Sequence, residues 1–267
     1  MATKAVAQKK PAPKKSGLPA TQQAAPKGAL ILMGDQQQLP DYIKPGNRGS
    51  EHVGTEDLVI PRLEVVQALS PALERDDPNY VEGAKQGDLI NSVTRQNYGK
   101  EVFVVPVYYT KQWLVWKDRQ KGGGFFGAYP SPAEAEARIE QEGDDALEAI
   151  DTPTHLCLLI DPEEGKVDEV MISMPRTKAK ISRQWNSMIK LAGGDRFSRV
   201  YRITTALEEN KKGKYHNYVI SSTGFPAKVV YERAEKLYQS VSEGSRTVVM
   251  DTTGFQEAEG VESEAEM

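Results

Sequence analysis

KEVFVVPVYYTKQWLVWKDRQKGGGFFGAYP occupies residues 100–130 and contains two of the three tryptophans in the chain. From Val102 to Trp116 it is rich in β-branched and aromatic residues that alternate with a period of two, which predicts one long strand or a bent pair of strands. One face of that strand should carry Val107, Tyr109, Lys111, Trp113 and Val115. The other face should carry Tyr108, Thr110, Gln112, Leu114 and Trp116. Pro106 has no N–H to give to a ladder, so we expect an edge, a bulge or a barrel corner there.

The aromatic residues of this stretch are interleaved with lysine and arginine, and its glycine run carries Phe125 and Phe126. Single-stranded nucleic acid suits such a surface, because each base stacks on a ring for roughly 1–3 kcal/mol and the cations follow the phosphates. For any single ring the competing interpretation is a core strand whose rings fill the interior. A glycine loop that exposes two phenylalanines favours a binding surface, since exposed apolar groups of this size usually have a partner.

Composition describes a water-soluble protein with no membrane partner. The chain has 267 residues, of which 39% are hydrophobic and 27% charged, enough for one large or two small domains. It contains no run of about 18 apolar residues and no secretory signal. Its single cysteine, Cys157, lies in the apolar run HLCLLI, which predicts a buried core residue and excludes a disulfide framework. These features predict a cytoplasmic location, the host cell cytoplasm if the protein is viral.

Charge is segregated at the two ends, although the net charge is only −4. The first fifteen residues contain five lysines and no acid, and the last eleven contain five glutamates and no base. Such segments cannot bury enough apolar surface to fold. We therefore predict a disordered basic arm at 1–28, an irregular lead-in at 29–57, one nucleic-acid-binding domain at 58–241 and a disordered acidic tail at 242–267.

The remaining pattern predicts an α+β fold that is rich in strands. Besides the aromatic strand, strands are predicted at 58–67, 89–96, 154–161, 167–174, 197–207 and 214–221. Helices are predicted at 132–149, with a break near Gly143, at 176–191 and at 226–241. The strand at 89–96 should form a hairpin with the aromatic strand through the turn at 97–99. Because the spacings suit antiparallel hairpins and no βαβ series appears, we expect a partly open barrel of the oligonucleotide-binding kind, or a curved sheet, elaborated by helices.

Two further segments combine cations with rings. The helix at 176–191 carries five cations, and no acid occurs between Glu169 and Asp195. Either a solvated face or a surface that contacts phosphates accounts for them. Its apolar stripe consists of Ile181, Trp185, Met188 and Ile189 and is expected to face the core. The hairpin at 197–221 also interleaves tyrosines with arginines and lysines.

Catalytic and metal-binding signatures are absent from the sequence. There is no P-loop, dinucleotide fingerprint or nucleophile elbow. The three histidines are His52, His155 and His216, and none lies at ligand spacing from a cysteine or carboxylate. We therefore expect a protein that is not an enzyme, with no catalytic residue, no metal and no cofactor.

The segments IPRLEVVQALSP (60–71), KEVFVVPVYYTKQWLVW (100–116) and KGKYHNYVIS (212–221), together with the glutamate-rich end, resemble phage-encoded single-stranded-DNA-binding proteins. The podovirus single-strand binders that act as RNA polymerase cofactors are similar as well. The resemblance implies an oligonucleotide-binding fold, homo-oligomers and sequence-tolerant coating of single strands in replication, recombination or transcription. It also implies an acidic tail that competes with DNA and recruits phage replication or transcription proteins.

The first hypothesis is therefore a single-stranded-DNA-binding protein. RNA stays open, because stacking does not read the 2′-hydroxyl. The aromatic candidates for the binding surface are Tyr109, Trp113, Trp116, Phe125, Phe126, Tyr201 and Tyr215. The basic candidates are Lys111, Lys117, Arg119, Lys121, Lys180, Arg183, Arg199, Arg202, Lys212 and Lys214. The alternative is a non-enzymatic adaptor or structural protein of a virion or polymerase complex, with the Phe125–Phe126 loop as its docking element.

Overall fold

The long aromatic strand is the central element of the computed structural model. The structure describes residues 46, 48–54, 57–118, 121–163, 165–210 and 213–244. The predicted arm at 1–28 lies outside these residues, as do most of the lead-in and the acidic tail beyond Gly244. The strands and helices all belong to the compact unit that begins at His52.

Eight strands and three helices follow one another in the described part of the chain. The strands are β1 (Leu63–Val65), β2 (Leu89–Asn91), β3 (Glu101–Lys117), β4 (Phe125–Tyr129), β5 (Leu147–Ile160), β6 (Val167–Ser173), β7 (Val200–Asn210) and β8 (Gly213–Gly224). The helices are α1 (Pro132–Glu142), α2 (Ala179–Ala192) and α3 (Lys228–Ser242).

Strand β3 organises a six-stranded antiparallel sheet, in which five strands follow the order β6-β5-β3-β7-β8 and β4 pairs separately with β3. One edge of β3 pairs with β5 from Phe103 to Lys117. The other edge pairs with β7 over Glu101–Val104 and with β4 over Trp113–Trp116. Among the described strands β6 and β8 do not pair with each other, so the sheet is open. The predicted strand-rich α+β class is confirmed, whereas the oligonucleotide-binding barrel is not.

A bulge bends β3 at its proline, as predicted. The register with β5 shifts between Pro106 and Tyr108, because Pro106 cannot supply a ladder N–H. The extra residue, Val107, therefore packs with Leu156 on the same side as Tyr108. Strict alternation had placed Val107 with Tyr109, and this detail of the prediction is wrong.

Both faces of the sheet are covered. On the first face the β1–β2 ribbon and α2 pack against β3, β5, β6 and β7, with Trp185 and Cys157 fully buried. On the second face α3 packs through Val230, Ala234 and Leu237. Cys157 is thus the core residue that the sequence predicts.

Some of the predicted bounds and one predicted strand pairing are wrong. Strand 58–67 is reduced to β1, and β2 pairs with β1 rather than with the aromatic strand. The side-chain oxygen of Asn91 accepts bonds from the amides of Val93 and Thr94, at 2.9 Å each, which ends β2 in a turn. Helix α1 ends at Glu142, and Gly143, where a break is predicted, has a φ of +62° that suits a glycine cap. The chain then enters β5 at Leu147, because β3 is long enough to pair there with Lys117.

Candidate nucleic-acid interface

Helix α2 presents a basic stripe to solvent. Trp185 and Ile189 are buried against the sheet, as the 3.6-residue period predicts. The opposite side of the helix consists of Lys180, Arg183, Gln184, Ser187, Lys190 and Leu191. Within the described ranges, no carboxylate forms an ion pair with Lys180, Arg183 or Lys190. The stripe is therefore an uncompensated line of positive charge.

An open hollow of about 590 Å³ lies on this stripe. It is lined by Lys180, Arg183, Gln184, Ser187 and Met188. Two cations and an amide can donate to phosphate oxygens, and the thioether offers an apolar contact to a sugar or base. The hydroxyl of Ser187 already donates to the carbonyl oxygen of Arg183 at 3.0 Å.

A buried polar network fixes α2 to strand β5. Arg196 donates to Nδ1 of His155 at 2.6 Å and to the side-chain oxygen of Asn186 at 2.9 Å. Because Nδ1 accepts, the proton of His155 sits on Nε2, which donates to Ser182 Oγ at 2.9 Å. Burial, reinforced by the charge of Arg196, lowers the pKa of His155 well below its usual value. Neutral His155 also stacks on Trp185 at 4.4 Å, so the helix is held with its basic stripe outward.

Arg199 and Phe225 lie at the C-terminal end of α2. Arg199 donates to the carbonyl oxygen of Ala192 at 3.2 Å, and its guanidinium carbon lies 5.0 Å from the ring centre of Phe225. Phe225 is 73% exposed. Sequence reasoning named Arg199 but missed Phe225. The signal was an aromatic residue between Gly224 and Pro226, where no strand or helix would bury it.

Most aromatic rings of β3 and β4 pack against other parts of the protein. Trp116 is only 8% exposed and packs with Leu114 and Ile150, while Phe125, 39% exposed, lies over it at 4.8 Å. Three further rings of β3 and β4 pack against α1; they are Trp113, Phe126 and Tyr129. Of the predicted stacking residues on β3 and β4, Phe125 is the one left prominently exposed.

The cations of the aromatic strand have internal partners. Lys111 forms an ion pair of 2.9 Å with Asp151 and lies over the ring of Trp113. Lys117 pairs with Asp144 at 2.6 Å, and this contact, with a bond from the Ala146 amide, lowers the pKa of Asp144. Lys121 is exposed at the hairpin tip, and Arg119 lies outside the described residues.

The predicted surface on β7 and β8 contains buried residues, residues with internal partners and an exposed lysine. Tyr201 is a core residue, 1% exposed and edge-on to Trp185, so its ring cannot reach a ligand without unfolding. Arg202 pairs with Glu101, and the hydroxyl of Tyr215 donates to Glu208 at 2.8 Å. Tyr109 on β3 is partly buried; its ring contacts His155 at 5.2 Å and lies 5.4 Å from the guanidinium of Arg196. Lys214 is exposed, and Lys212 lies outside the described residues.

Metal-binding clusters and membrane-spanning helices are absent from the described ranges. No three His, Cys, Asp or Glu side chains there come together in a way that could hold a metal ion. None of the helices in those ranges has the length and apolar character needed to cross a membrane.

Comparison with protein-family models gives a match. The family model described as Pam3 phage gp34-like protein matches residues 32–247, most of the chain. No curated protein and no solved structure matches the chain.

Proposed function

The chain belongs to the Pam3 phage gp34-like protein family, and from that premise we propose that this phage protein binds single-stranded DNA without sequence preference. It would do so in the host cell cytoplasm, during phage replication, recombination or transcription. The binding surface we propose is the basic stripe of α2, and no catalytic step is involved.

One observation carries the proposal: three exposed cations of α2 lack carboxylate partners among the described residues. Lys180 and Lys190 are ten residues apart, about 15 Å along a helix axis. A stacked single strand carries a phosphate roughly every 3.4 Å, so the stripe spans about four phosphates. Each cation that contacts a phosphate releases condensed counterions, which makes the association favourable at low salt. Lysines already paired with carboxylates gain less, because they must first give up those partners.

Exposed rings favour a single strand over a duplex. A duplex hides its base faces, whereas a single strand offers each face to an aromatic side chain. Phe125 and Phe225 are both exposed, and Phe225 lies at the end of the basic stripe. The hairpin tip with Lys121 and Phe125 would be a secondary contact, since Lys111 and Lys117 next to it are neutralised.

The acidic end supplies the regulatory part of the proposal. The five glutamates of residues 257–267 carry charge opposite to that of the α2 stripe. We infer that this segment occupies the stripe weakly, is displaced by DNA and is then free to recruit phage replication or transcription proteins. Deletion of residues 254–267 tests the competition.

A mobility-shift experiment with the full-length protein tests the proposed function. Labelled oligo-dT is bound at low salt and challenged with unlabelled oligo-dT, duplex of equal length and oligo-rU. We expect oligo-dT to compete far better than duplex. Equal competition by oligo-rU would widen the substrate to RNA. Failure to shift oligo-dT at low salt would overturn the proposal and favour an adaptor of a virion or polymerase complex.

A further inference from the structure

Phe225 has the most exposed ring among the described aromatic residues, at 73%. It lies between the end of β8 and the start of α3, where it belongs to none of the core clusters. A single exposed apolar side chain is common on protein surfaces. The residues that surround Phe225, and not its exposure alone, point to a binding role.

The surroundings consist of a fixed cation behind the ring. Arg199 is partly buried and is held by its bond to the carbonyl oxygen of Ala192. Its guanidinium faces Phe225 at 5.0 Å, within the range of a cation–π contact. The ring is therefore held from one side and open on the other. An aromatic platform that is already fixed loses little side-chain freedom when a ligand stacks on it.

The platform lies near the C-terminal end of α2, the end at which the basic stripe stops. Ala192, which anchors Arg199, is the last residue of the helix and follows Lys190 by two positions. Leu191, 87% exposed, lies on the same side of the helix as Lys180 and Ser187. The end of α2 that carries Lys190 and Leu191 is thus also the end near Arg199 and Phe225.

We propose that Phe225, backed by Arg199, is a base-stacking platform at the end of the α2 stripe. This inference rests on the proposed function and places one base of the bound strand at the C-terminal end of α2. The backbone of a single strand would run along Lys180, Arg183 and Lys190, and one base would stack on Phe225. A protein partner fits the patch less well, because an apolar surface placed there would remove water from Lys190 and Arg199 without pairing their charges.

The experiment compares Phe225→Ala, Phe225→Trp and Val229→Ala in the full-length protein, using anisotropy of fluorescein-labelled oligo-dT. Val229 is the matched control, since it is 72% exposed and close in sequence. We expect Phe225→Ala to weaken binding roughly tenfold without changing the salt dependence, because a stacked base and not a phosphate is lost. Phe225→Trp should bind like the natural protein, and Val229→Ala should be unchanged.

Phe225→Trp also gives a direct signal. Trp185 is fully buried, Trp116 is nearly so and Trp113 is partly buried, so a tryptophan at position 225 would be the most exposed one and would add to the quenching by oligo-dT. Quenching beyond that of the natural protein supports stacking. Unchanged affinity of Phe225→Ala together with no added quenching would overturn the platform. Equal losses in Phe225→Ala and Val229→Ala would also overturn it and indicate a general apolar docking face.

Failure of this inference is separable from failure of the proposed function. If the natural protein binds oligo-dT and loss of the α2 cations weakens it while Phe225→Ala does not, only the platform is wrong. If the natural protein does not bind oligo-dT, both are wrong.

Discussion

Replacing Lys180, Arg183 and Lys190 by alanine removes the three cations of the α2 stripe that lack carboxylate partners in the described structure. All three side chains are exposed, and none belongs to a core cluster. Alanine favours helix at least as well as lysine and arginine do. The triple variant should therefore fold with unchanged stability, and any loss of affinity would report on binding.

The magnitude follows from counterion release. Each phosphate contact to a single strand contributes about −0.7 to the slope of log K against log salt. Three contacts thus contribute about −2. If the effect of these contacts vanishes near 1 M salt, each contact raises the affinity about fivefold at 0.1 M salt. The three contacts together then raise the affinity about 100-fold, which corresponds to about 2.8 kcal/mol. We expect the variant to bind oligo-dT about 100-fold more weakly at 0.1 M salt, with a slope shallower by about 2.

Anisotropy of labelled oligo-dT over a salt series measures both quantities. The matched control is Lys228→Ala, Arg233→Ala and Lys236→Ala on α3, which removes the same charge from another exposed helix surface. On that helix Lys228 is already paired with Glu232. The control should lose much less affinity and slope. Equal losses in the two variants would refute the reasoning, because net charge rather than the α2 stripe would then explain binding.

Three further predictions concern His155, Trp116 and the tail. The folded pKa of His155 is lowered, so stability is fully present above the unfolded pKa of about 6.5 and falls by up to about 1.4 kcal/mol per pH unit below it. Urea unfolding between pH 7 and about 5 should show this fall, and His155→Asn should lack it. Trp116→Ala should cost about 3–5 kcal/mol in urea unfolding, because the ring is core; a loss below about 1 kcal/mol would contradict its burial. Deletion of residues 254–267 should tighten oligo-dT binding at low salt, and unchanged or weaker binding would exclude competition by the tail.

Features set by local pattern could be predicted from the sequence. The length of β3 and its bulge at Pro106 follow from alternation and from the missing N–H of proline. The apolar stripe of α2, centred on Trp185, follows from its helical period. Strands β7 and β8 are neighbours in sequence and pair with each other along their length, so no distant segment is needed to define this hairpin.

The division between core rings and surface rings could not be predicted. Both faces of β3 carry aromatic residues, and only the packing of α1 and α3 decides which are covered. The carboxylates that neutralise Lys111 and Lys117 belong to Asp151 and Asp144, which are distant along the chain. Tyr201 is a core residue although Arg199 and Arg202 are close to it in sequence, because the residue that covers its ring is Trp185 on α2. Phe225 was missed because the turn that holds it has no periodic pattern.

Photocrosslinking is the most direct test of where a single strand binds. The full-length protein is bound to an oligonucleotide that carries 5-iododeoxyuridine, irradiated, digested and analysed by mass spectrometry. We predict crosslinks in peptides from α2 and in the peptide that contains Phe225. Crosslinks confined to the Trp116–Phe125 hairpin, or none when the oligonucleotide is fully bound, would contradict the claim that the α2 stripe is the binding surface.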